Sequence, residues 1–211
     1  VARLKGAMDA IGLDGNKLDI VLMQLVKLMR NGELVKVSKR TGKSITLVDL
    51  LEEVPIDAAR FFFNLREVNS QMDFDLDLAV EKSSENPVYY VQYAHARICS
   101  ILSKLSENGV DLFQAGKADF SLLIQPEEKA LIRHIALLPN EIIEAAKAYE
   151  PAKITRYSIL LATLFHKFYN ACRVNVEEQN LLLARLGLCQ AVQTTLKNVL
   201  NILKIEAPDS M

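Results

Sequence analysis

From Pro126 onward, apolar residues recur at helical spacing almost without interruption, and this run constrains the fold more than any other feature of the chain. Residues 127–138, 140–149, 153–174 and 178–203 each place apolar side chains on one face at intervals of three and four. Pro139, Pro151 and the polar patch Asn175-Val176-Glu177 punctuate them. Upstream, Pro87 opens another long helix over 88–106, which Gly109 ends. The segment 110–125 is poorly patterned and contains Gly116, so it reads as a loop. Amphipathic helices joined by short connections bury their apolar stripes against one another. The second half of the chain is therefore expected to be a bundle of about five helices, with the boundary between the halves at 83–87.

The first half is mixed. Residues 3–11 form a short amphipathic helix with Leu4, Ala7, Met8 and Ile11 on one face, stopped by Gly12. Residues 18–29 are rich in Val, Leu, Ile and Met, and their length permits a helix. The Asn31-Gly32 pair behind them and the β-prone Leu34-Val35-Lys36-Val37 favour a hairpin instead. Thr46-x-x-Asp49 has the form of a capping box for a helix over 47–53. Pro55 starts a further helix carrying Ile56, Ala59, Arg60, Phe62, Phe63 and Arg66. In Asp73-Phe74-Asp75-Leu76-Asp77, acids alternate with apolar residues. A calcium loop of the helix–loop–helix kind needs a central glycine, which is absent, so Asp75 reads as an acid at a helix N-terminus. No metal ligand is assigned. The expected fold class is mainly α with a short β-hairpin.

A chain of 211 residues suits one large domain or two small ones. Its net charge of −1 gives no overall support for a nucleic-acid partner, but the charge is unevenly spread. Residues 1–44 hold nine Lys/Arg against four Asp/Glu, and residues 45–90 hold three against ten. The three cysteines, Cys99, Cys172 and Cys189, form no close pair, which argues for reduced thiols in a cytosolic protein. No apolar run reaches the length of a membrane span, and no signal peptide opens the chain.

Two stretches carry candidate chemistry. In Lys36-Val37-Ser38-Lys39-Arg40-Thr41-Gly42-Lys43, four cations fall within eight residues, with a hydroxyl and a glycine among them. Set between a hairpin and a capped helix, such a loop suits a polyphosphate, although charge alone favours a solvated surface. On the helix after Pro87, Tyr90, Tyr93 and Arg97 stand at i, i+3 and i+7 and share one face. An aromatic pair with a cation can stack unpaired bases and hold a phosphate; spacing alone favours tyrosines packed on the bundle. His95 lies off that face and reads as structural. Phe165, Phe168 and Tyr169 sit at i, i+3 and i+4, with Phe165 and Phe168 read as core and Tyr169 as a stacking candidate.

Several of these stretches resemble a known family. Lys36-Val37-Ser38-Lys39-Arg40 is similar to the KMSKS signature of class I aminoacyl-tRNA synthetases, in the KMSKR form that arginyl-tRNA synthetases often carry. Leu47-Val48-Asp49-Leu50-Leu51, Asp57-Ala58-Ala59-Arg60-Phe61-Phe62 and Asp73-Phe74-Asp75-Leu76-Asp77 resemble bacterial arginyl-tRNA synthetase. So do Asn86-Pro87-Val88-Tyr89-Tyr90-Val91-Gln92-Tyr93-Ala94-His95-Ala96-Arg97 and the ending Ile205-Glu206-Ala207-Pro208-Asp209-Ser210-Met211. The likeness covers nearly the whole chain. Val37 departs from the usual Met but keeps an apolar anchor. The Asp-Ala-Leu-Arg motif that names the family's anticodon-binding domain is not intact. No His-x-Gly-His, the HIGH signature of the class, occurs; all three histidines lie in the helical half.

The resemblance implies a division of labour. Residues 1–85 would be the end of a Rossmann-type α/β catalytic domain, and residues 86–211 a helical anticodon-binding domain of the DALR type. The parent protein would be an arginine–tRNA ligase that activates arginine with ATP and Mg2+ and transfers it to tRNA(Arg), acting in the cytoplasm without DNA or a membrane. The chain would be a C-terminal fragment, inactive by itself for want of the HIGH motif. The alternative is a stand-alone, non-catalytic helical module that binds tRNA or protein. On the ligase reading, Lys39 is the phosphate ligand and Lys36 its supporting cation. Ser38 supplies a hydroxyl and Gly42 gives the loop room to move. Arg40 and Lys43 are as readily solvated charges. Tyr90, Tyr93, Arg97, Tyr169 and Met211, the last as the C-terminus, are the implied tRNA contacts.

Overall fold

The computed structural model describes residues 1–35 and 45–211; the basic stretch with Lys36, Ser38, Lys39 and Gly42 lies outside the described residues. The chain begins with α1 (Ala2–Ala10), which buries none of its side chains. An extended run then leads to β1 (Val26–Arg30) and β2 (Glu33–Leu34). Asn31 and Gly32 both have positive φ, at 52° and 74°, as a two-residue primed turn requires, and Arg30 pairs with Glu33 across it. The expected hairpin is therefore present, but its first strand is shorter than residues 18–29. Residues 18–25 lack a ladder partner among the described residues; the Gln24 amide donates to the Val68 carbonyl at 3.0 Å, and Asp19 Oδ2 accepts from the Tyr149 hydroxyl at 2.8 Å.

Two short helices follow, α2 (Leu47–Glu53) and α3 (Ile56–Phe63). The Thr46–Asp49 capping box closes as the spacing predicts: the Thr46 amide donates to Asp49 Oδ2 at 2.7 Å, and the Asp49 amide donates to Thr46 Oγ1 at 3.2 Å. The chain then returns as β3 (Met72–Asp75), parallel to β1, with Val26 opposite Met72. This strand falls within the alternating acids; Met72 and Phe74 turn inward while Asp73 is exposed. Phe74 is fully buried and meets Phe62 and Phe63 at ring separations of 5.4 and 5.1 Å, which fixes α3 on the sheet. Asp75 caps α4 (Leu76–Val80), accepting from the amides of Asp77 and Leu78 at 3.0 Å.

Asn86 joins this part to the bundle. Its oxygen caps α5 (Pro87–Glu107), while its amide donates to the carbonyls of Ala79 and Glu81. After α5 come two 3-10 turns, Leu112–Lys117 and Phe120–Leu122, where the sequence suggested only a loop. Gly187 lets them pack on the bundle: a Cβ there would stand 2.8 Å from the Phe120 ring. Three long helices complete the chain: α6 (Pro126–Ala148), α7 (Ala152–Ala171) and α8 (Gln179–Ile202). Pro139 does not split α6; the helix runs through it, so four long helices form the bundle rather than five. Both α7 and α8 pack against α5 and against α6, which makes them the central pair.

The core is continuous from Phe61 and Phe74 through Val91, Ile98, Leu161, Phe165 and Phe168 to Leu196 and Leu200. One buried ion pair crosses it. Glu128, fully buried, accepts from Arg185 Nε at 2.7 Å and from the Gln125 amide at 2.9 Å, so both carboxylate oxygens have partners.

Candidate nucleic-acid interface

The tyrosine-rich face of α5 turns toward α7, as the i, i+3, i+7 spacing allows. Tyr93 is 40 % exposed, whereas Tyr90 is half-buried and packs on the core. The Tyr90 hydroxyl approaches Thr163 Oγ1 at 3.4 Å, and its ring lies 5.1 Å from that of His166. Tyr93 stacks nearly parallel to Tyr89 at 6.4 Å and meets the His166 ring at 6.0 Å with the planes 29° apart. The guanidinium of Arg97 lies 4.4 Å from the centre of the Tyr169 ring and 6.0 Å from that of Tyr93. Among the described residues Arg97 has no carboxylate partner, and its guanidinium meets ring faces instead. The structure thus brings Tyr90, Tyr93, Arg97 and Tyr169 together. The cluster offers the exposed ring of Tyr93 and the half-buried ring of Tyr169 beside the Arg97 cation, an arrangement able to stack unpaired bases and hold phosphate.

His166 belongs to the cluster, and the sequence reading gives it no role. Its Nε2 is buried without a hydrogen-bond partner among the described residues. Burial, and then the Arg97 charge, hold its pKa below the ordinary histidine value. The available signal was its place three residues before Tyr169 on an aromatic-rich turn.

Met211 lies elsewhere. The tail after α8 runs back along a neighbouring face of α5 and is held at several points. The Glu206 amide donates to Asp57 Oδ2 at 3.0 Å, and Gln92 Nε2 donates to the Glu206 carbonyl at 2.9 Å. His95, fully buried, donates from Nδ1 to the Pro208 carbonyl at 2.9 Å, and the Cys99 thiol meets Asp209 Oδ1 at 3.5 Å. Met211 consequently lines a cavity with Ile56, Val88, Tyr89 and Gln92, apart from Arg97 and Tyr169; Tyr89 borders both regions. His95, Cys99 and Asp209 form the one group of three potential metal ligands among the described residues. A nitrogen, a sulfur and one carboxylate do not suit Mg2+, which prefers oxygen donors.

A family model for the DALR anticodon binding domain matches residues 91–211. The chain belongs to this family. The DALR domain begins inside α5 and takes in the whole of α6, α7, α8 and the tail. Proteins named arginine–tRNA ligase from Caldanaerobacter subterraneus subsp. tengcongensis and Ruminiclostridium cellulolyticum are 57 % and 52 % identical to the chain over its full length. The chain spans only 38 % and 37 % of those curated relatives. Among solved structures, a Campylobacter jejuni protein described as an arginyl-tRNA synthetase superposes on 99 % of this chain and 44 % of its own, with a TM-score of 0.86 and 32 % identity. The Thermus thermophilus arginyl-tRNA synthetase matches 87 % of this chain and 34 % of its own, with a TM-score of 0.65 and 26 % identity. Among the described residues, no helix of the DALR domain or of the part before it is long and apolar enough to cross a membrane.

Proposed function

We propose that this chain is the tRNA-binding end of a cytoplasmic arginine–tRNA ligase, in which residues 86–211 grip tRNA(Arg) and residues 1–85 complete the catalytic domain. The observation that carries this reading is the Tyr93–Arg97–Tyr169 cluster, with Tyr93 exposed, on a DALR domain. Unpaired anticodon bases present π-faces that stack on tyrosines, and the adjoining phosphates meet Arg97. Tyr90 supports the platform from beneath, and Met211 closes the neighbouring face.

In the parent enzyme, the arginine carboxylate attacks the α-phosphate of MgATP and displaces pyrophosphate. The arginyl group then passes to a hydroxyl of the terminal tRNA ribose and displaces AMP. Negative charge grows on the pyrophosphate leaving group. Lys39, with Lys36 beside it, offers that charge a preorganised partner. Ser38 adds a hydroxyl hydrogen bond, and Gly42 lets the loop close over the nucleotide. Position and electrostatics are the whole of this contribution, since no covalent intermediate with the protein is needed.

The test is arginylation of tRNA(Arg) by the full-length protein, wild type and Arg97→Ala. Wild type is expected to charge tRNA(Arg), and the variant to show a raised KM for tRNA with ATP–pyrophosphate exchange intact. A full-length protein that binds tRNA(Arg) but never forms arginyl-tRNA would leave only a non-catalytic binding module. The 211-residue chain alone is expected to bind tRNA weakly and to support no ATP–pyrophosphate exchange; exchange by the chain alone would overturn its assignment as an inactive piece.

A further inference from the structure

The tail that follows α8 brings a third donor to a pair already set by α5. His95 and Cys99 stand at i and i+4, so they project from one face of the helix, one turn apart. The imidazole Nδ1 and the thiol Sγ are 3.7 Å apart. Asp209 places Oδ1 3.5 Å from the same sulfur. The three donor atoms all lie within 4.8 Å of one another. Bonds other than those of Asp209 hold the tail in this position. Arg60 Nη1 donates to the Lys204 carbonyl, Gln92 Nε2 donates to the Glu206 carbonyl, and the Glu206 amide donates to Asp57 Oδ2. The carboxylate is therefore delivered to the pair by the path of the tail.

These separations are those of donors around a small tetrahedral ion. Zinc holds imidazole nitrogen and carboxylate oxygen at about 2.0–2.2 Å and thiolate sulfur at about 2.3 Å. On a tetrahedron with those bond lengths, the sulfur stands about 3.5 Å from each of the other two donors. The observed distances are 3.7 and 3.5 Å. The Pro208 carbonyl oxygen, 2.9 Å from His95 Nδ1, is the adjoining donor for a fourth position.

The donors also select the ion. One nitrogen, one sulfur and one carboxylate suit a borderline-soft divalent cation, whereas magnesium and calcium prefer oxygen alone. A thiolate and a carboxylate together cancel its double charge. Gln193 Nε2 from α8 donates to Cys99 Sγ at 3.0 Å, a bond that favours the thiolate. Burial holds the free thiol above its ordinary pKa, so the ion must displace that proton to solvent, one for each ion bound. The neutral imidazole keeps its own proton. When the ion takes Nδ1, the proton moves to Nε2, which is buried and has no hydrogen-bond partner to lose among the described residues.

We propose that His95, Cys99 and Asp209 form a zinc site that clamps the C-terminal tail onto α5. The ion joins side chains 110 residues apart in sequence. It reinforces the path by which the tail, bonded to Asp57 of α3, ties that helix to the bundle. The site stands whether or not the bundle binds tRNA.

The test is metal binding by the full-length protein, stripped with a chelator and titrated with Co2+ and then Zn2+, for wild type, Cys99→Ser and Asp209→Asn. Asp209 is exposed and serine nearly matches cysteine in size, so both variants should fold, which circular dichroism checks. Wild type is expected to bind one Co2+ at this site, with a sulfur-to-metal charge-transfer band in the near ultraviolet that one equivalent of Zn2+ abolishes. Cys99→Ser should lose the band. Asp209→Asn should keep it, and both variants should bind Zn2+ at least about tenfold more weakly, the lower end of what even an outer-shell substitution costs. Digestion with a serine carboxypeptidase, which needs no metal, reads the clamp: Zn2+ should slow release of Met211 and Ser210 severalfold in wild type and not in Cys99→Ser. No band in wild type, or a band unchanged in Cys99→Ser, would overturn the site. Zinc affinity unchanged in Asp209→Asn, or release of the tail at the same rate with and without Zn2+, would overturn the clamp.

Discussion

Tyr90 and Tyr93 are three residues apart on one helix face, yet they differ in burial and so in expected role. Tyr90 packs on the core and on His166, whereas Tyr93 keeps 40 % of its surface. Replacing Tyr93 by alanine removes a π-face and little packing. Binding of an anticodon stem-loop should weaken by roughly 1–3 kcal/mol, the range for one lost base stack, with the melting temperature almost unchanged. Titration calorimetry on the folded variant measures this, and an unaltered affinity would return Tyr93 to a purely structural role. His166 gives the cluster a pH dependence. Its pKa is depressed in the folded state by burial and by Arg97, so the unfolded chain binds more protons once pH falls below the ordinary histidine value of 6.5. Stability therefore drops as pH falls from about 6.5 toward 5. Thermal melts across this range should show a steeper loss for wild type than for His166→Phe; equal slopes would mean that the imidazole titrates alike in both states.

Among the elements, α6 shows what local sequence signals can and cannot decide. Pro139 removes one amide donor and crowds the carbonyl four residues back, which argues for a break. The helix nevertheless continues to Ala148, because the segments on either side are both anchored. Before the proline, His134 and Tyr157 bond reciprocally, the imidazole Nε2 to the Tyr157 carbonyl at 3.1 Å and the phenol to the His134 carbonyl at 3.0 Å. After it, Ala145 is buried. Tertiary packing outweighs a local penalty of that size. Since Pro139 is exposed, Pro139→Ala should restore helix propensity without opening a cavity and stabilise the protein by about 1–3 kcal/mol. Chemical denaturation would show this; a less stable variant would mean that the packing of α6 on α7 depends on the proline bend. The hairpin turn and the Thr46 and Asp75 caps were legible beforehand because each depends on residues close in sequence. The extent of β1 was not, because it is set by β3, more than forty residues away. The same limit applies at the candidate interface. Helical spacing placed Tyr93 and Arg97 on one face, but nothing local places Met211 with Tyr89 instead of with Arg97. That follows from a tail fastened to Asp57, Gln92 and His95.

At the scale of the molecule, one connected core joins the sheet and α3 to the helical bundle. The face of α5 with the end of α7 carries the aromatic cluster, and the part of the chain before Asn86 is assigned the phosphate chemistry through its basic stretch. Asn86 and the tail bond across the junction between them. This separation gives the assignment of the basic stretch a test that a simple basic patch would fail. If Lys39 stabilises charge developing on pyrophosphate, its ammonium matters only in the activation step. Lys39→Ala in the full-length protein should then slow ATP–pyrophosphate exchange by about 100-fold or more, the scale for loss of one preorganised electrostatic partner. The Kd for tRNA(Arg) and its salt dependence should stay as in wild type, because a lysine that releases no counterion from RNA leaves that slope untouched. If instead the basic stretch is a tRNA contact, the slope becomes shallower by about one and exchange measured without tRNA is unaffected. Each assignment changes one measurement and leaves the other as in wild type, so a single variant decides between them.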